Sequence, residues 1–410
     1  MHQTLLKPIL IACCLFFSFL NLPAQGLNPL SPQAEISLIT VAPGAELYSM
    51  YGHSAIRVND PAQGIDYVFN YGTFDFNTPN FYVKFVRGKL PYQLSVGYFE
   101  DLKSNSIRDN RSVVEQVLNL TASEKQKVVD LLEINYQPEN RSYLYDFFFD
   151  NCATRIRDVF QKGLGPALKF KDTPTTEPMT FRQLVGIYQQ PHPWVDLGVD
   201  LVMGLPADAE ATPRQTMFLP DYLLIQFQQA RVDRPVPAAS TPPLAFVKET
   251  RQLFQAAAVA KPASLQRPTV VFWALLVVVA VYTFFQVKNR KINHTVDILL
   301  FGLTGLLGMV ILFLWLGTDH QSFANNFNFL WAFPLNLPFA FLLFRRSKPA
   351  LVRQYFLAMA ALAVLVLISW PIFPQQFHHS VFPVVMLLAL RAWYVARSGQ
   401  FTPRNYNPYK

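Results

Sequence analysis

From position 268 to the C-terminus the chain carries five apolar stretches, at about 269–287, 296–317, 328–344, 354–371 and 380–396. Each approaches the ~20 residues that a helix needs to cross a hydrocarbon core, the third and fifth being short. Lipid offers the backbone no hydrogen-bond partners, so such stretches fold as helices. The pattern predicts an all-α transmembrane domain of five helices over residues 268–410. Asp297 and Arg391 fall near the ends of the second and fifth spans, where both side chains are expected to snorkel to the interface rather than pair. Pro334 and Pro338 are candidate breaks in the third span.

Charge follows the same division. The formal net charge is +8, but residues 25–267 hold 23 Lys/Arg against 25 Asp/Glu, whereas residues 268–410 hold 11 against 2. The basic excess lies in the most hydrophobic part of the chain, which argues for membrane topology and against a nucleic-acid partner. Lys288, Arg290 and Lys291 follow the first span, and Arg345, Arg346, Lys348 and Arg353 follow the third. Arg397, Arg404 and Lys410 end the chain. The positive-inside rule places these three segments in the cytoplasm and residues 25–267 outside. The N-terminus agrees. Lys7, an apolar core at 9–20 and Leu22-Pro23-Ala24 resemble a cleavable secretory signal over 1–24.

Residues 25–235 are long enough to bury a core of their own, and the Pro/Ala-rich segment 236–267 reads as a linker. The exported part is mixed α and β. Strands are expected at 36–41, 53–58 and 67–71, the last two joined by a turn around Asn59-Asp60-Pro61 and Gly64. Thr121-Ala122-Ser123-Glu124 is a capping box opening a helix that buries Val128, Leu131, Leu132 and Ile134. A second helix should begin at Asp150-Asn151 and end at Gly163 or Gly165. Cys152, Ile156, Val159 and Phe160 share one face of it.

Cys13 and Cys14 are expected to leave with the signal, so the mature chain keeps one cysteine, Cys152, in an oxidising compartment. Taken alone, a cysteine there is most simply a small core residue. Its place in the first turn of a helix changes that reading. Unpaired N–H groups and the dipole stabilise a thiolate there and can hold an oxyanion. A nucleophilic cysteine needs a base. The exported part offers His192, in the loop-like Pro191-His192-Pro193-Trp194, and His53, at the head of a strand. His53 is the stronger candidate. The orienting third group should come from the next strand, with Asn70 the first choice and Asp75 the alternative, because a one-residue register slip reverses the face.

Tyr48, Ser54, Arg57, Asp150, Asn151 and Arg155 are candidate substrate contacts. Phe147-Phe148-Phe149, beside the nucleophile, suits an acyl-chain pocket. No Gly-rich phosphate loop, HExxH or metal-spaced cysteine set is present, so neither a cofactor nor a metal is expected. His320, His378 and His379 fall on outward-facing loops, at headgroup level.

Around Tyr51-Gly52-His53-Ser54-Ala55-Ile56-Arg57 and Tyr145-Asp146-Phe147-Phe148-Phe149-Asp150-Asn151-Cys152-Ala153-Thr154-Arg155-Ile156-Arg157-Asp158 the chain resembles the Lnb-type lipoprotein N-acyltransferase family. The likeness extends to Tyr71-Gly72-Thr73-Phe74-Asp75-Phe76 and Met217-Phe218-Leu219-Pro220-Asp221. It implies an α+β periplasmic domain of circularly permuted papain-like (NlpC/P60-type) fold, joined to a membrane domain in the bacterial inner membrane. By position, Cys152 would be the nucleophile and His53 the base. The implied donor is a membrane phospholipid, and the implied acceptor is a diacylated lipoprotein. Two other readings use the same residues: a membrane-anchored papain-like hydrolase, and a non-enzymatic sensing module.

Overall fold

The computed structural model describes residues 29–172, 177–234, 243–258, 267–345 and 349–398. The expected signal at 1–24, with Cys13 and Cys14, lies outside them. So do Arg346, Lys348, Arg404 and Lys410, and parts of the 236–267 segment.

Seven strands form one antiparallel sheet: β1 (Glu35–Val41), β2 (His53–Asp60), β3 (Ile65–Thr73), β4 (Pro91–Tyr98), β5 (Val113–Leu118), β6 (Ser142–Leu144) and β10 (Val247–Phe254). Their order is β10-β5-β1-β2-β3-β4-β6. Three two-residue strands, β7 (Leu168–Lys169), β8 (Arg231–Val232) and β9 (Leu244–Ala245), make a second small sheet. Helices α1 (Phe81–Val86), α2 (Phe99–Arg108), α3 (Ala122–Tyr136) and α4 (Cys152–Leu164) interleave with the strands. Helices α5 (Phe181–Gln189), α6 (Pro193–Val202), α7 (Pro213–Thr216) and α8 (Pro220–Gln229) follow.

Side chains alternate across the sheet, so each face has its own core. Ile56, Val58, Phe69 and Tyr71 face α3 and α4, where Ile156 and Phe160 are fully buried. Each such side chain contributes about 1.5–3 kcal/mol by leaving water. Ala55 and Val68 face α2, packing with Phe99 and Leu102. The capping box at Thr121 and Glu124 opens α3, which buries Val128, Val129 and Leu132. Ile134, expected in that core, is 53% exposed, because at about 100° per residue it falls on the face opposite Val128 and Leu132.

Two readings change. Part of the segment read as a linker is a strand. β10 pairs with β5, and Arg251 reaches Glu35 and Glu115 across strands. The sequence VKETRQLF carries three charges because an edge strand wets one side. The loop expected at Pro191-His192-Pro193 is only a tight turn at 190–192, and Pro193 already opens a helix. His192 is the N-cap of α6, with Pro193 at the first helical position, where proline's missing N–H costs nothing.

The C-terminal part is helical, as α9 (Pro268–Lys288), α10 (Thr295–Gly317), α11 (Asn336–Leu342), α12 (Ala350–Ser369) and α13 (Val381–Arg397). Among the described residues three helices, not five, are long and apolar enough to cross a membrane: Pro268–Lys288, Thr295–Gly317 and Ala350–Ile372. The third apolar stretch is broken into a 3-10 turn at Phe327–Leu330 and the seven-residue α11, with Pro334 between them. The fifth is a 17-residue helix.

Asp297 and Arg391 do not snorkel. Arg391 Nε donates to Asp297 Oδ1 at 2.6 Å, and Nη1 donates to Thr283 Oγ1 and Gln286 Oε1. Both charged side chains are 0% exposed. Their helices meet where both residues point inward, and pairing costs less than leaving either charge alone. Arg391→Leu or Asp297→Leu alone should cost about 3–5 kcal/mol, and the double change should recover most of it. Thermal unfolding of the four proteins in detergent tests this, and additive losses would count against the pair.

Candidate active site

The site forms where the sheet splits. The β2–β3 ladder ends at Ile56 and Phe69, so positions 53–55 of β2 have no partner in β3. Beyond it, β3 turns at Gly72, whose φ of +87° belongs to the left-handed region that glycine tolerates. The N-terminus of α4 enters the gap. A Cβ on Gly72 would lie 3.6 Å from both the Cys152 Cβ and the Tyr145 ring.

Asn151 holds the helix end there. Its Oδ1 accepts from the N–H groups of Ala153 and Thr154 at 2.9 and 3.0 Å, and its Nδ2 donates to the carbonyls of Phe147 and Phe218, both at 2.8 Å. Gly165 closes the helix. Cys152, the first helical residue, is 9% exposed and free of any disulfide.

His53 hydrogen-bonds the Cys152 thiol from the head of β2. Its Nε2 lies 3.1 Å from Asn70 Oδ1. An amide oxygen only accepts, so this contact puts a proton on Nε2 and leaves Nδ1 for the thiol. Asn70 is the first-choice orienting residue of the two considered. Asp75 lies in the loop after β3, where it accepts from the backbone and side chain of Asn77. On its other side His53 borders a cavity of about 320 Å³, shared with Asn70, Tyr98, Asp101, Asn105 and Arg111.

Charge is stabilised across the pair. Burial pushes the Cys152 thiol up. The hydrogen bond and charge of His53, with the N–H groups of Ser54 and Ala153, more than offset this and leave it below the ordinary thiol range. Burial pushes His53 down, and the bond and charge of Cys152, then Asn70, raise it above its usual value. Both shifts favour a thiolate beside an imidazolium.

The other candidate contacts divide. Ser54 reaches Cys152 through its backbone N–H, which the split ladder leaves free of β3, while its side chain is fully buried. Asn151 is consumed in holding the helix. Asp150 and Arg155 form a two-pronged ion pair at 2.6 and 2.7 Å, with the guanidinium 3.5 Å over the Tyr143 ring that borders the site. Arg57 is elsewhere. It lies on the α2 face, bound to Asp66 and Glu115 over Phe99. Tyr48 is a surface residue, 73% exposed. Phe147 and Phe148 pack with Phe181 and Phe218 in a core. Gly72, Tyr143 and Tyr145 border the thiol and are not among the site residues expected from sequence. The Tyr71-Gly72 step and the alternating Tyr143, Tyr145 were the available signals. His320 meets the Phe85 carbonyl, and His378 meets Asp196.

Two measurements follow. A small neutral alkylating agent reacts with thiolate only, so the rate for Cys152 should titrate below the ordinary thiol value of about 8.5. In His53→Ala only burial and the amides remain, and the midpoint should rise; identical midpoints would refute the pairing. Asn151→Ala removes a cap and strands two carbonyls, a loss of about 3 kcal/mol or more, which thermal unfolding would register.

The chain matches two family models, described as the Lnb N-terminal periplasmic domain over residues 30–186 and the Lnb transmembrane domain over residues 260–399. Cys152, His53 and Asn70 all lie within the first match. No curated protein and no solved structure matches. The two matches together cover most of the sequence in the order expected of a membrane protein with a periplasmic N-terminal part, and the chain belongs to the Lnb-type family, of lipoprotein N-acyltransferase type.

Proposed function

We propose that the protein is a lipoprotein N-acyltransferase working by a two-step acyl transfer through Cys152. The thiolate attacks an ester carbonyl of a membrane phospholipid, forming the C–S bond and a tetrahedral oxyanion. The backbone N–H groups of Cys152 and Ser54 are the donors for that oxyanion, since Oδ1 of Asn151 engages those of Ala153 and Thr154. The C–O bond then breaks, and the His53 imidazolium gives its proton to the departing lysophospholipid. In the second step the neutral α-amine of a diacylated lipoprotein attacks the thioester, and His53 takes the amine proton. The C–S bond breaks, restoring the thiolate–imidazolium couple. The sum is one ester and one amine converted to one amide and one alcohol. Asn70 keeps the imidazole in the tautomer and orientation that both proton transfers need.

The observation that carries this reading is the hydrogen-bonded Cys152–His53 pair at the end of a sheet, in a chain of this family. A His-bearing strand preceding a Cys-bearing helix also supports a permuted papain-like (NlpC/P60-type) fold. Site residues, donor and acceptor all belong to this proposal. So does the topology, a multi-pass protein of the bacterial inner membrane with its C-terminus in the cytoplasm. Two observations favour that topology. Loops at Asp319–His320 and His378 bond the exported part, and the basic Lys288, Arg290 and Lys291 lie at the opposite end of the first span.

Intact mass of protein purified from phospholipid membranes tests the proposal. Wild type should carry a hydroxylamine-labile fatty-acyl adduct that Cys152→Ser lacks, and a diacylated lipopeptide should discharge it to the peptide amine. His53→Ala should lower both steps by about 10²-fold or more. A wild-type protein that neither acquires the adduct nor acylates the lipopeptide would sink the reading, and peptide cleavage would favour a hydrolase.

A further inference from the structure

Between β3 and β4 the chain exposes aromatic side chains that a water-facing surface would avoid. Helix α1 has six residues and none is buried. Tyr82 is 77% exposed and Phe85 50%, and Phe76 and Val83 are similarly open. The rings form one patch: Phe81 lies 4.9 Å from Phe76, 5.3 Å from Tyr82 and 6.2 Å from Phe85. Residues 81–89 carry Lys84, Arg87 and Lys89 and no acid. A six-residue helix is too short to be stable on its own, so it needs a surface to lie against. Aromatic and apolar side chains interspersed with basic ones suit the boundary of a bilayer with acidic headgroups.

The position of the patch identifies that surface. The backbone N–H of Asp319 donates to the Arg87 carbonyl at 3.0 Å, His320 Nε2 donates to the Phe85 carbonyl at 3.1 Å, and Lys89 Nζ lies 3.7 Å from Asp319. Asp319 and His320 follow directly on α10, an apolar helix ending at Gly317, so α1 is tied to the level at which that helix leaves hydrocarbon. Trp194 marks the same rim, its ring edge-on to Phe272 in the first turns of α9. From the patch a row of rings leads inward. Phe81 lies 5.8 Å from Phe74, Phe74 lies 5.4 Å from Tyr92, and Tyr92 stacks on Tyr145 at 4.5 Å. Tyr145 meets Gly72, against which Cys152 sits.

We propose that segment 74–86 is seated in the outer surface of the bilayer, and that the row Phe81, Phe74, Tyr92 and Tyr145 receives a lipid acyl chain on its way to Cys152. An acyl chain leaving the bilayer loses burial at every methylene. A continuous aromatic track lets its ester reach a thiol held in the exported domain without crossing water. The track rests on the acyltransfer reading, whereas the seat does not.

Two experiments on the full chain in phospholipid nanodiscs separate these elements. Nitroxides are attached at Tyr82→Cys and Phe85→Cys in a Cys152→Ser background, with Ser123→Cys, an exposed site opening α3, as control. The first two should collide with oxygen in preference to a water-soluble nickel chelate, and the third should show the reverse. Nickel preference at 82 and 85 would overturn the seat. Second, acylation of Cys152 is compared between phospholipid and a short-chain activated ester. Phe74→Ala and Tyr92→Ala should lower the phospholipid-to-short-ester ratio by about tenfold or more, because remote binding is lost only for the long chain. Both donors report on the same folded fraction, so misfolding cancels in the ratio. An unchanged ratio would overturn the track. Acylation of wild type by neither donor would refute the acyltransfer reading and the track with it, and the nitroxide result would still judge the seat.

Discussion

The Asn151 carboxamide is the contact on which the site depends. One side chain supplies two acceptor bonds to the start of α4 and two donor bonds to carbonyls at Phe147 and Phe218, 67 residues apart from it in the second case. It joins the hairpin before the helix, the helix itself and the turn ahead of α8. A helix end normally exposes unsatisfied N–H groups, and this one is buried in a split sheet. With Asn151 holding the first turn, the adjacent residue cannot move far from the head of β2. The thiol therefore meets His53 and the Ser54 amide without any motion of its own segment, which is the pre-organisation that proton transfer and oxyanion binding require.

A second constraint sets the height of the site above the bilayer. Gly204 lies so close to the membrane-domain loop that a Cβ there would overlap the Ala324 carbonyl. Around it, Arg182 bonds Asp200, Asp208 and the Met203 and Gly204 carbonyls. Gln375, Asn326 and Asn328 bond carbonyls at Met203 and Leu201. The bonds from Gln375, Asn326 and Asn328 join side-chain amides to backbone carbonyls; such bonds are directional and specify a single seating. The buried Arg391–Asp297 pair performs the same registration between helices α10 and α13 at the far side. The acyl transfer proposed for this chain, with its substrate taken from lipid, needs this fixed height more than it needs mobility.

Much of the organisation was readable in the chain because its causes are local. Asn151 and Gly165 are helix-end residues wherever they occur in such a context, so α4 was placed almost to the residue. Apolar length announced the membrane part, and position at a helix start and a strand head drew attention to Cys152 and His53. The choice between Asn70 and Asp75 was open because it turns on hairpin parity. Only the observed pairing of Arg57 with Val68 puts residue 70 on the face of His53. Arg57 was misplaced for the same reason, since its partners Asp66 and Glu115 come from two other strands.

The sequence by itself determined which segments are apolar enough for lipid, where the helix bearing Cys152 begins and ends, and which residues are candidates for reactive chemistry. Those properties follow from side-chain type and near-neighbour spacing. Only the tertiary structure decided the rest. It broke the third apolar stretch, turned part of the expected linker into the edge strand β10, sent Phe147 and Phe148 into a core and brought Tyr145 to the thiol. Each of these outcomes depends on which distant surface a segment meets, and a short segment with several comparable surfaces available contains no local term that selects one.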